Sequence, residues 1–206
     1  MSRRCYAVEV MDNSELLRKI KADEPGAFDE LVDRYGDRIL GFGMKMCGER
    51  EDARDVFQDT LMQAYRSLKK LEKPEALRSW LFRVAANACL MKRRKGKYEP
   101  VREISLEELK PDRSSLHETE IPDAGSLPED EVSRGQIRSK VREAISEIPP
   151  HYRIVLLLRD MEHFSTREVA TMLDLPESTI KMRLHRGRLM VRERLEDTFG
   201  HGGVAV

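Results

Sequence analysis

The stretch at residues 164–188, FSTREVATMLDLPESTIKMRLHRGR, gathers side chains that could bind an anionic polymer. It begins with a Ser and a Glu at the three-residue spacing of a helical capping box. A short apolar pattern and a proline follow, and Lys, Arg and His recur towards its end. Cations on the outer face of a helix can contact phosphates and guanine edges, so the stretch is a candidate nucleic-acid-binding segment.

Two short helices joined by a tight turn would produce this pattern. Ser165 and Glu168 predict the start of the first helix, and Pro176 suits the first turn of the second. The apolar stripe predicted for the second helix consists of Ile180, Leu184, Gly187, Val191 and Leu195. The face away from that stripe holds Ser178, Met182, His185 and Leu189, flanked by Thr179, Lys181 and Arg186. The segment predicts a helix-turn-helix, whose second helix can enter a DNA major groove.

A charged, solvated helix end is the alternative interpretation of the same cations. Ala170, at the predicted tight crossing of the two helices, favours the helix-turn-helix. Asp174 stands at the turn, where glycine is common, but Asp tolerates the left-handed conformation at some cost. We therefore expect the turn to form with Asp174 in place.

A second group of cations ends the helix predicted for residues 77–95. Its predicted core row is Trp80, Val84 and Ala88, extended by Leu81 and Ala85. Residues 92–97, KRRKGK, hold five cations, and no acid lies between Ser79 and Tyr98. The helix dipole accounts for one or two cations at a helix C-terminus, but not for five. The group predicts contact with phosphates.

The preceding helix, predicted within residues 50–70, has an acidic face. Its apolar stripe is Ala53, Phe57, Leu61, Ala64 and Leu68. The opposite face holds Asp55, Gln58, Asp59, Met62 and Arg66. Acids around one adaptable Met suit the docking of a protein helix, and an ordinary solvated helix face is the alternative.

The composition limits the remaining function classes. Lys plus Arg and Asp plus Glu both number 37 among 206 residues, so charge arguments must be local. No apolar run is long enough to cross a membrane, so no membrane insertion is expected. Three distant cysteines and five scattered histidines predict no disulfide framework, metal or cofactor. No phosphate loop and no nucleophile with a nearby base occur, so no catalytic residue is assigned and no enzyme is expected.

The chain is predicted to be all-α, because no stretch shows the period-two alternation of a half-buried strand. Two small helical domains, residues 1–97 and 135–206, are expected on either side of a flexible acidic linker at residues 98–134, which is rich in proline. Helices are predicted near 13–22, 25–48, 50–70, 77–95, 135–147, 151–160, 165–173 and 177–196.

The order of these features resembles bacterial sigma factors of the sigma-70 family, in particular their extracytoplasmic-function (ECF) group. The likeness lies in the stretches AFDELVDRYGDRIL, DARDVFQDTLMQAYRSL and SWLFRVAANACLMKRR, and in the segment from IPPHYRIV to MVRERL. They cover most of residues 25–97 and 136–196, and their combination in this order is more specific than any one of them.

The resemblance implies a cytoplasmic protein that binds core RNA polymerase and promoter DNA. The domain at residues 1–97 would correspond to sigma region 2, and that at residues 135–206 to region 4. The family's main docking helix for polymerase matches residues 52–68. This match implies polymerase binding by Asp52, Asp55, Gln58, Asp59 and Met62.

The resemblance also implies contacts with two promoter elements. Those with the −10 element match Arg83, Asn87, Lys92 and Arg93. Those with −35 bases match Lys181, Met182, His185 and Arg186, with phosphate contacts from Thr166, Arg167, Ser178 and Thr179. Met182 and His185 differ from the small polar or aromatic residues that are common at these positions in the family. The family's base preference at the −35 element is therefore not assigned to this chain. Residues 72–78 are expected to help trap a flipped base during melting.

The family further implies an anti-sigma factor as the controlling partner of a chain that is monomeric when free. The linker acids would either mimic a nucleic-acid backbone inside polymerase or form a solvated tether. The alternative function is a stand-alone helix-turn-helix regulator, which binds DNA without polymerase, usually as a dimer on a palindromic site. Such a regulator has no need of the acidic helix.

Overall fold

The computed structural model describes residues 13–95 and 128–199, and within these ranges every regular element is a helix. A short helix, α1, covers residues 13–21. The longer helices of this N-terminal region are α2 (Ala27–Cys47), α3 (Arg50–Ser67) and α4 (Leu77–Lys95). Two single 3-10 turns, Leu68–Lys70 and Pro74–Ala76, connect α3 to α4.

The C-terminal region follows the gap in the described residues. Its helices are α5 (Pro128–Glu147), α6 (Pro150–Leu156), α7 (Thr166–Leu173) and α8 (Glu177–Phe199). A π turn, Leu157–Met161, extends α6. Two helical regions on either side of the linker confirm the predicted fold class. Helix α5 begins at Pro128 instead of near 135, because proline suits the first helical turn, so its start lies in the predicted linker.

Helices α2 and α3 pack closely where Gly43 faces Ala53. A Cβ atom added to Gly43 would lie 3.3 Å from the carbonyl oxygen of Ala53, so a side chain there would push the two helices apart. Helix α2 ends one turn later at Gly48, whose φ of 83° lies in the left-handed region that favours glycine. The helix thus ends close to its predicted boundary.

The buried face of α4 differs from the predicted core row. Leu81 and Ala85 are fully buried as predicted, and so are Phe82 and Cys89, which the prediction omits. Trp80, Val84 and Ala88 are only half-buried. The reason is that α4 packs against α7 of the C-terminal region as well as against α2 and α3. The pattern of one helix cannot reveal which side a segment some eighty residues away will cover.

One apolar core runs through both regions. Buried side chains from α1 to α4 and from α5 to α8 belong to a single contiguous cluster. Aromatic rings join the two parts: the Phe82 ring lies 5.6 Å from Phe42 and 5.3 Å from Phe164, edge to face in both cases. The two regions therefore share an interior, although residues 96–127 between them lie outside the described part of the chain.

The helix-turn-helix forms as the sequence predicts. The backbone N–H of Glu168 donates to Ser165 Oγ at 3.2 Å, and the N–H of Ser165 donates to Glu168 Oε2 at 2.7 Å, which completes the capping box. Asp174 occupies the left-handed region (φ 53°, ψ 51°), as expected for a residue in place of glycine. Leu175 then donates its N–H to the carbonyl of Ala170 at 3.0 Å.

Replacing Ser165 with Ala should lower the free energy of unfolding by about 1 kcal/mol, because the N–H of Glu168 loses its acceptor. Denaturant unfolding followed by circular dichroism measures the change. Thr171→Ala on the same helix is the control, since Thr171 donates only to the carbonyl of Arg167 within an already formed turn. Equal stabilities of the Ser165→Ala variant and the wild type would contradict a contribution from the capping box.

Candidate protein-docking and nucleic-acid interfaces

Helix α3 presents the exposed acidic face that the sequence predicts. Its buried positions are Ala53, Val56, Thr60 and Ala64. On the other side Asp55, Gln58 and Asp59 are exposed, Met62 is 43% exposed, and Asp52 lies half-buried at the edge. The buried hydroxyl of Thr60 is satisfied within the helix, since it donates to the carbonyl of Val56 at 2.7 Å. The outer face is therefore available to a partner.

Tyr65 extends this face and is missing from the predicted site. It is 71% exposed, one turn after Met62, and its ring packs edge-on against Phe28 at 5.4 Å. A largely exposed aromatic ring next to an exposed Met gives the acidic face an apolar end. The spacing of three residues from Met62, outside the buried stripe, is the signal that could have revealed it.

The −10 candidates on α4 divide into two groups. Arg83 and Asn87 are exposed on the side of α4 away from the core. Lys92 instead contacts α3: its Nζ lies 3.0 Å from Asp52 Oδ1 and also donates to Asp55. Arg93 follows in the same helix, but its side chain lies outside the described part of the structure.

Lys92 thus joins two surfaces that the sequence assigned to different partners. The hydrogen bond that Lys92 donates to Asp55, followed by the one that it donates to Asp52, raises the pKa of Lys92 above its ordinary value. The positive charge that could face a phosphate is already compensated by two carboxylates expected to bind polymerase. In this arrangement Lys92 positions α3 against the end of α4.

The outer face of α8 carries most of the predicted DNA contacts. Lys181, Met182, His185 and Ser178 are exposed, and Thr179 is half-buried. On α7, Arg167 is exposed and Thr166 is half-buried. Ile180, Leu184 and Gly187 are buried, as the predicted stripe requires. Towards the end of the helix the two faces are less distinct, because Val191 and Leu195 of the stripe and Leu189 of the outer face are all half-buried.

Arg186 departs from the other cations of α8. It is half-buried, and its Nη1 lies 3.4 Å from the hydroxyl oxygen of Tyr152 on α6. Helices α6 and α8 are close here, because a Cβ atom added to Gly187 would meet Tyr152 at 3.5 Å. Arg186 therefore lies on the flank between the DNA-facing side of α8 and its packing side.

The two regions are held together through Glu162, which follows the π turn. This residue is 7% exposed, and its Oε2 accepts a hydrogen bond from Arg38 Nη2 at 3.1 Å. The guanidinium of Arg78 lies 3.6 Å from the same oxygen and also donates to the Glu162 backbone carbonyl. Removing either side of such a buried pair leaves an uncompensated charge.

Phe164 adds an aromatic contact beside Glu162. The Arg78 guanidinium lies 4.2 Å from the centre of the Phe164 ring, which also contacts the ring of Phe82. Phe164 is almost fully buried, so this cation–π contact is shielded from water and correspondingly strong. Arg78 is therefore engaged by both the charge of Glu162 and the face of Phe164.

Arg153 of α6 provides the second polar contact between the regions. It is 3% exposed, and its Nη1 donates to the backbone carbonyl of Met46, near the end of α2, at 2.8 Å. Its Nη2 donates to the carbonyls of Ser146 and, at 2.9 Å, of Ile148. We call the contacts of Arg153, Glu162 and Phe164 with the N-terminal region the inter-region interface.

Among residues 13–95 and 128–199, no group of three or more His, Cys, Asp and Glu side chains could hold a metal ion. None of the helices described is both long and apolar enough to cross a membrane.

Comparison with known proteins decides the family. The pattern of Sigma-70 region 2 matches residues 31–98, and that of Sigma-70 region 4 matches residues 138–191. The ECF RNA polymerase sigma factor SigM of Mycobacterium tuberculosis is 30% identical over 178 residues, which are 85% of this chain and 81% of that protein. The chain belongs to the ECF group of the sigma-70 family.

A second relative and two solved structures are also similar to this sigma factor. The ECF RNA polymerase sigma factor SigW of Bacillus subtilis is 29% identical over 181 residues, covering 88% of this chain and 95% of the relative. The structure of CnrH in complex with the cytosolic domain of CnrY covers 88% of this chain and 96% of that one, with a TM-score of 0.60 and 20% identity. The structure of the sigma factor RpoE in complex with the anti-sigma factor NepR, from Bartonella quintana, covers 83% of this chain and 98% of that one, with a TM-score of 0.58 and 22% identity. Both structures share the fold.

Replacing Glu162 with Gln should lower the free energy of unfolding of this sigma factor by about 1–3 kcal/mol, because Arg78 and Arg38 lose a buried counter-charge. The fluorescence of Trp80, the single tryptophan, reports unfolding in denaturant. Asp160→Asn removes the exposed ion pair with Arg188 and serves as the control. It should change stability by less than about 1 kcal/mol. An equal effect of the two variants would contradict the importance of the inter-region interface.

Proposed function

We propose that this sigma factor directs core RNA polymerase to promoters by contacting the −10 element through region 2 and the −35 element through region 4. Regions 2 and 4 would occupy residues 1–97 and 135–206, with residues 98–134 as the linker. The observation that carries the proposal is that an acidic helix face, a polar face of α4 and the outer face of α8 are exposed on one chain of this family. The family is not an enzyme family, and this chain acts in the cytoplasm without catalysis.

Polymerase docks on the outer face of α3. Asp55, Gln58, Asp59 and Met62 point away from the core, and Tyr65 enlarges the apolar part of the face. Carboxylates steer a cationic partner and fix its register, while Met and Tyr supply desolvated contact area. Asp52 also belongs to this surface, at its edge next to Lys92.

Promoter DNA meets two separate cationic surfaces. Arg83 and Asn87 face the −10 element, and Arg93, later in the same helix, is a further contact that the resemblance implies. Lys181, Met182 and His185 meet the bases of the −35 element, while the contacts from Thr166, Arg167, Ser178 and Thr179 are with phosphates. Arg186 reads DNA from the flank of α8. Each surface alone is small, and tethering through polymerase makes the second contact effectively intramolecular.

The inter-region interface must open before both elements can be bound. Arg78 belongs to the segment 72–78 that we expect to trap a flipped base, yet it is held by Glu162 and Phe164. Separation of the two regions on polymerase releases Arg78 and lets α8 move relative to α4. We call the arrangement with the inter-region interface intact the closed arrangement, and we expect it in the free monomer.

An anti-sigma factor controls this chain. The related fold of RpoE occurs in complex with the anti-sigma factor NepR, and that partner is a property of RpoE. By extension, a protein that binds the closed arrangement would keep Arg78 engaged and compete with polymerase for α3. The alternative, a stand-alone regulator, offers no reason for the exposed acidic face of α3.

The charge reversal Asp59→Arg should reduce binding to purified core RNA polymerase at least tenfold, which corresponds to about 1.4 kcal/mol, because it places a cation in the acidic face. Asp59 is the better target than Asp55, since Asp55 also binds Lys92. A titration with immobilised polymerase measures the affinity.

Asp33→Arg, the same reversal on the exposed side of α2, is the matched control and should bind like the wild type. Undiminished binding of the Asp59→Arg variant would remove α3 from the docking surface. If the wild type binds promoter DNA tightly without polymerase and does not bind polymerase, the stand-alone regulator is correct.

In the polymerase complex, Lys181→Ala should weaken binding to a promoter with an intact −35 element by about 1–3 kcal/mol. Lys181 is a cleaner target than Arg186, whose replacement would also disturb the contact with Tyr152. Arg192→Ala, a cation of the same helix that pairs with Glu196, is the control. Fluorescence anisotropy with labelled promoter DNA measures both. Identical affinities of the two variants would exclude Lys181 from the DNA surface.

A further inference from the structure

Two thiols meet between α2 and α4. Cys47 is the last residue of α2, and Cys89 lies within α4, 42 residues further along the chain. Their sulfur atoms are 3.9 Å apart, close to van der Waals contact, and both residues carry reduced thiols. Their separation in the sequence gives no hint of this contact.

We propose that Cys47 and Cys89 form a reversible disulfide when the protein meets a hydroperoxide. The two thiols differ in access: Cys47 is half-buried, whereas Cys89 has no exposed surface. A small oxidant therefore reaches Cys47 first. Cys89 lies within contact distance and can react with the oxidised Cys47 as the second thiol. This redox site goes beyond promoter recognition and does not depend on the assignment of the DNA or polymerase surfaces.

The reaction balances in two steps. In the first, the sulfur of Cys47 attacks one peroxide oxygen, the O–O bond breaks, and the thiol becomes a sulfenic acid while one water or alcohol leaves. In the second, the sulfur of Cys89 attacks the sulfenic sulfur, the S–O bond breaks, and water leaves with the Cys89 proton. The two thiols lose two electrons in total, and the hydroperoxide is reduced by two electrons.

The disulfide requires a modest movement at the end of α2. A disulfide bond is about 2 Å long, so the two sulfur atoms must approach by about 2 Å. Helix α4 is covered on several sides, but Cys47 is a terminal residue followed by Gly48, around which nothing lies within 4 Å of an added Cβ atom. The end of α2 therefore has room for the shift, while Cys89 stays in place.

The two cysteines lie next to residues that hold helices together: Met46 precedes Cys47, and Lys92 follows Cys89. Met46, next to Cys47, provides the carbonyl that accepts the hydrogen bond from Arg153 at the inter-region interface. Lys92, which binds Asp52 and Asp55, follows Cys89 by three residues. Oxidation therefore acts on a helix end that contacts the C-terminal region and on the helix that carries the −10 candidates.

The test uses the full chain with Cys5→Ser, which leaves these two thiols alone. The protein is treated with hydrogen peroxide, denatured, alkylated with N-ethylmaleimide and weighed by mass spectrometry. We expect the monomer to lose about 2 Da, to take up no maleimide and to regain both thiols with dithiothreitol. Two alkylated thiols, a lasting sulfenic acid beside a reduced Cys89, or cross-links only between chains would each overturn the proposal.

Two variants test the order of the steps. In Cys89→Ala the sulfenic acid on Cys47 should persist and react with dimedone, whereas in Cys47→Ser the buried Cys89 should remain reduced under the same treatment. Rapid oxidation of Cys89 in the Cys47→Ser variant would contradict Cys47 as the first thiol. Peptide mapping of the Cys5→Ser protein identifies the cross-link directly, so the result does not depend on the folding of either variant.

Discussion

The burial of Glu162 between Arg38 and Arg78 is the constraint on which the arrangement of the two regions depends. Apolar contact is non-directional and would permit many orientations of two small helical regions. A buried carboxylate permits few, because its charge and hydrogen-bonding capacity must be met by cations in fixed positions. Once Glu162 meets these arginines, Phe164 packs on Phe82 and Arg78, α7 lies against α4, and α8 follows through its contacts with α6 and α7.

Several cations near the candidate DNA surfaces are engaged inside the molecule. Arg78 binds Glu162 and Phe164, and Lys92 binds two carboxylates of α3. Arg186 contacts the hydroxyl of Tyr152. Phosphate binding draws on cations that release counterions, and a cation already paired with a carboxylate contributes less to it. With these cations engaged inside the molecule, fewer positive charges are open to phosphates than the composition of the chain suggests. Rearranging a few contacts would change the number of cations open to phosphates without any change in composition.

Features that depend on local sequence could be predicted. The capping box at Ser165, the left-handed Asp174 and the exposed face of α3 follow from residue type and helical spacing, and they form as expected. Features made by distant residues could not be predicted, since no periodicity links Arg78 to Glu162 or Cys47 to Cys89. Part of the buried face of α4 was misjudged for the same reason: its own pattern favours Trp80, whereas Phe82 is buried against Phe42 and the distant Phe164. A base preference for the exposed face of α8 could not be predicted either, because Met182 and His185 have no fixed pairing with a base.

The aromatic contact between Phe82 and Phe164 has a consequence for biosynthesis. A ribosome adds about 5–20 residues per second, so Phe164 is made roughly 4–16 s after Phe82. During that interval the N-terminal region can fold, but the side of α4 later covered by α7 remains open to solvent and to other nascent chains. Chain length between the two rings thus sets a delay in which the growing polypeptide carries an apolar surface that the finished molecule conceals. Translation speed across residues 83–164 determines how long that surface is exposed.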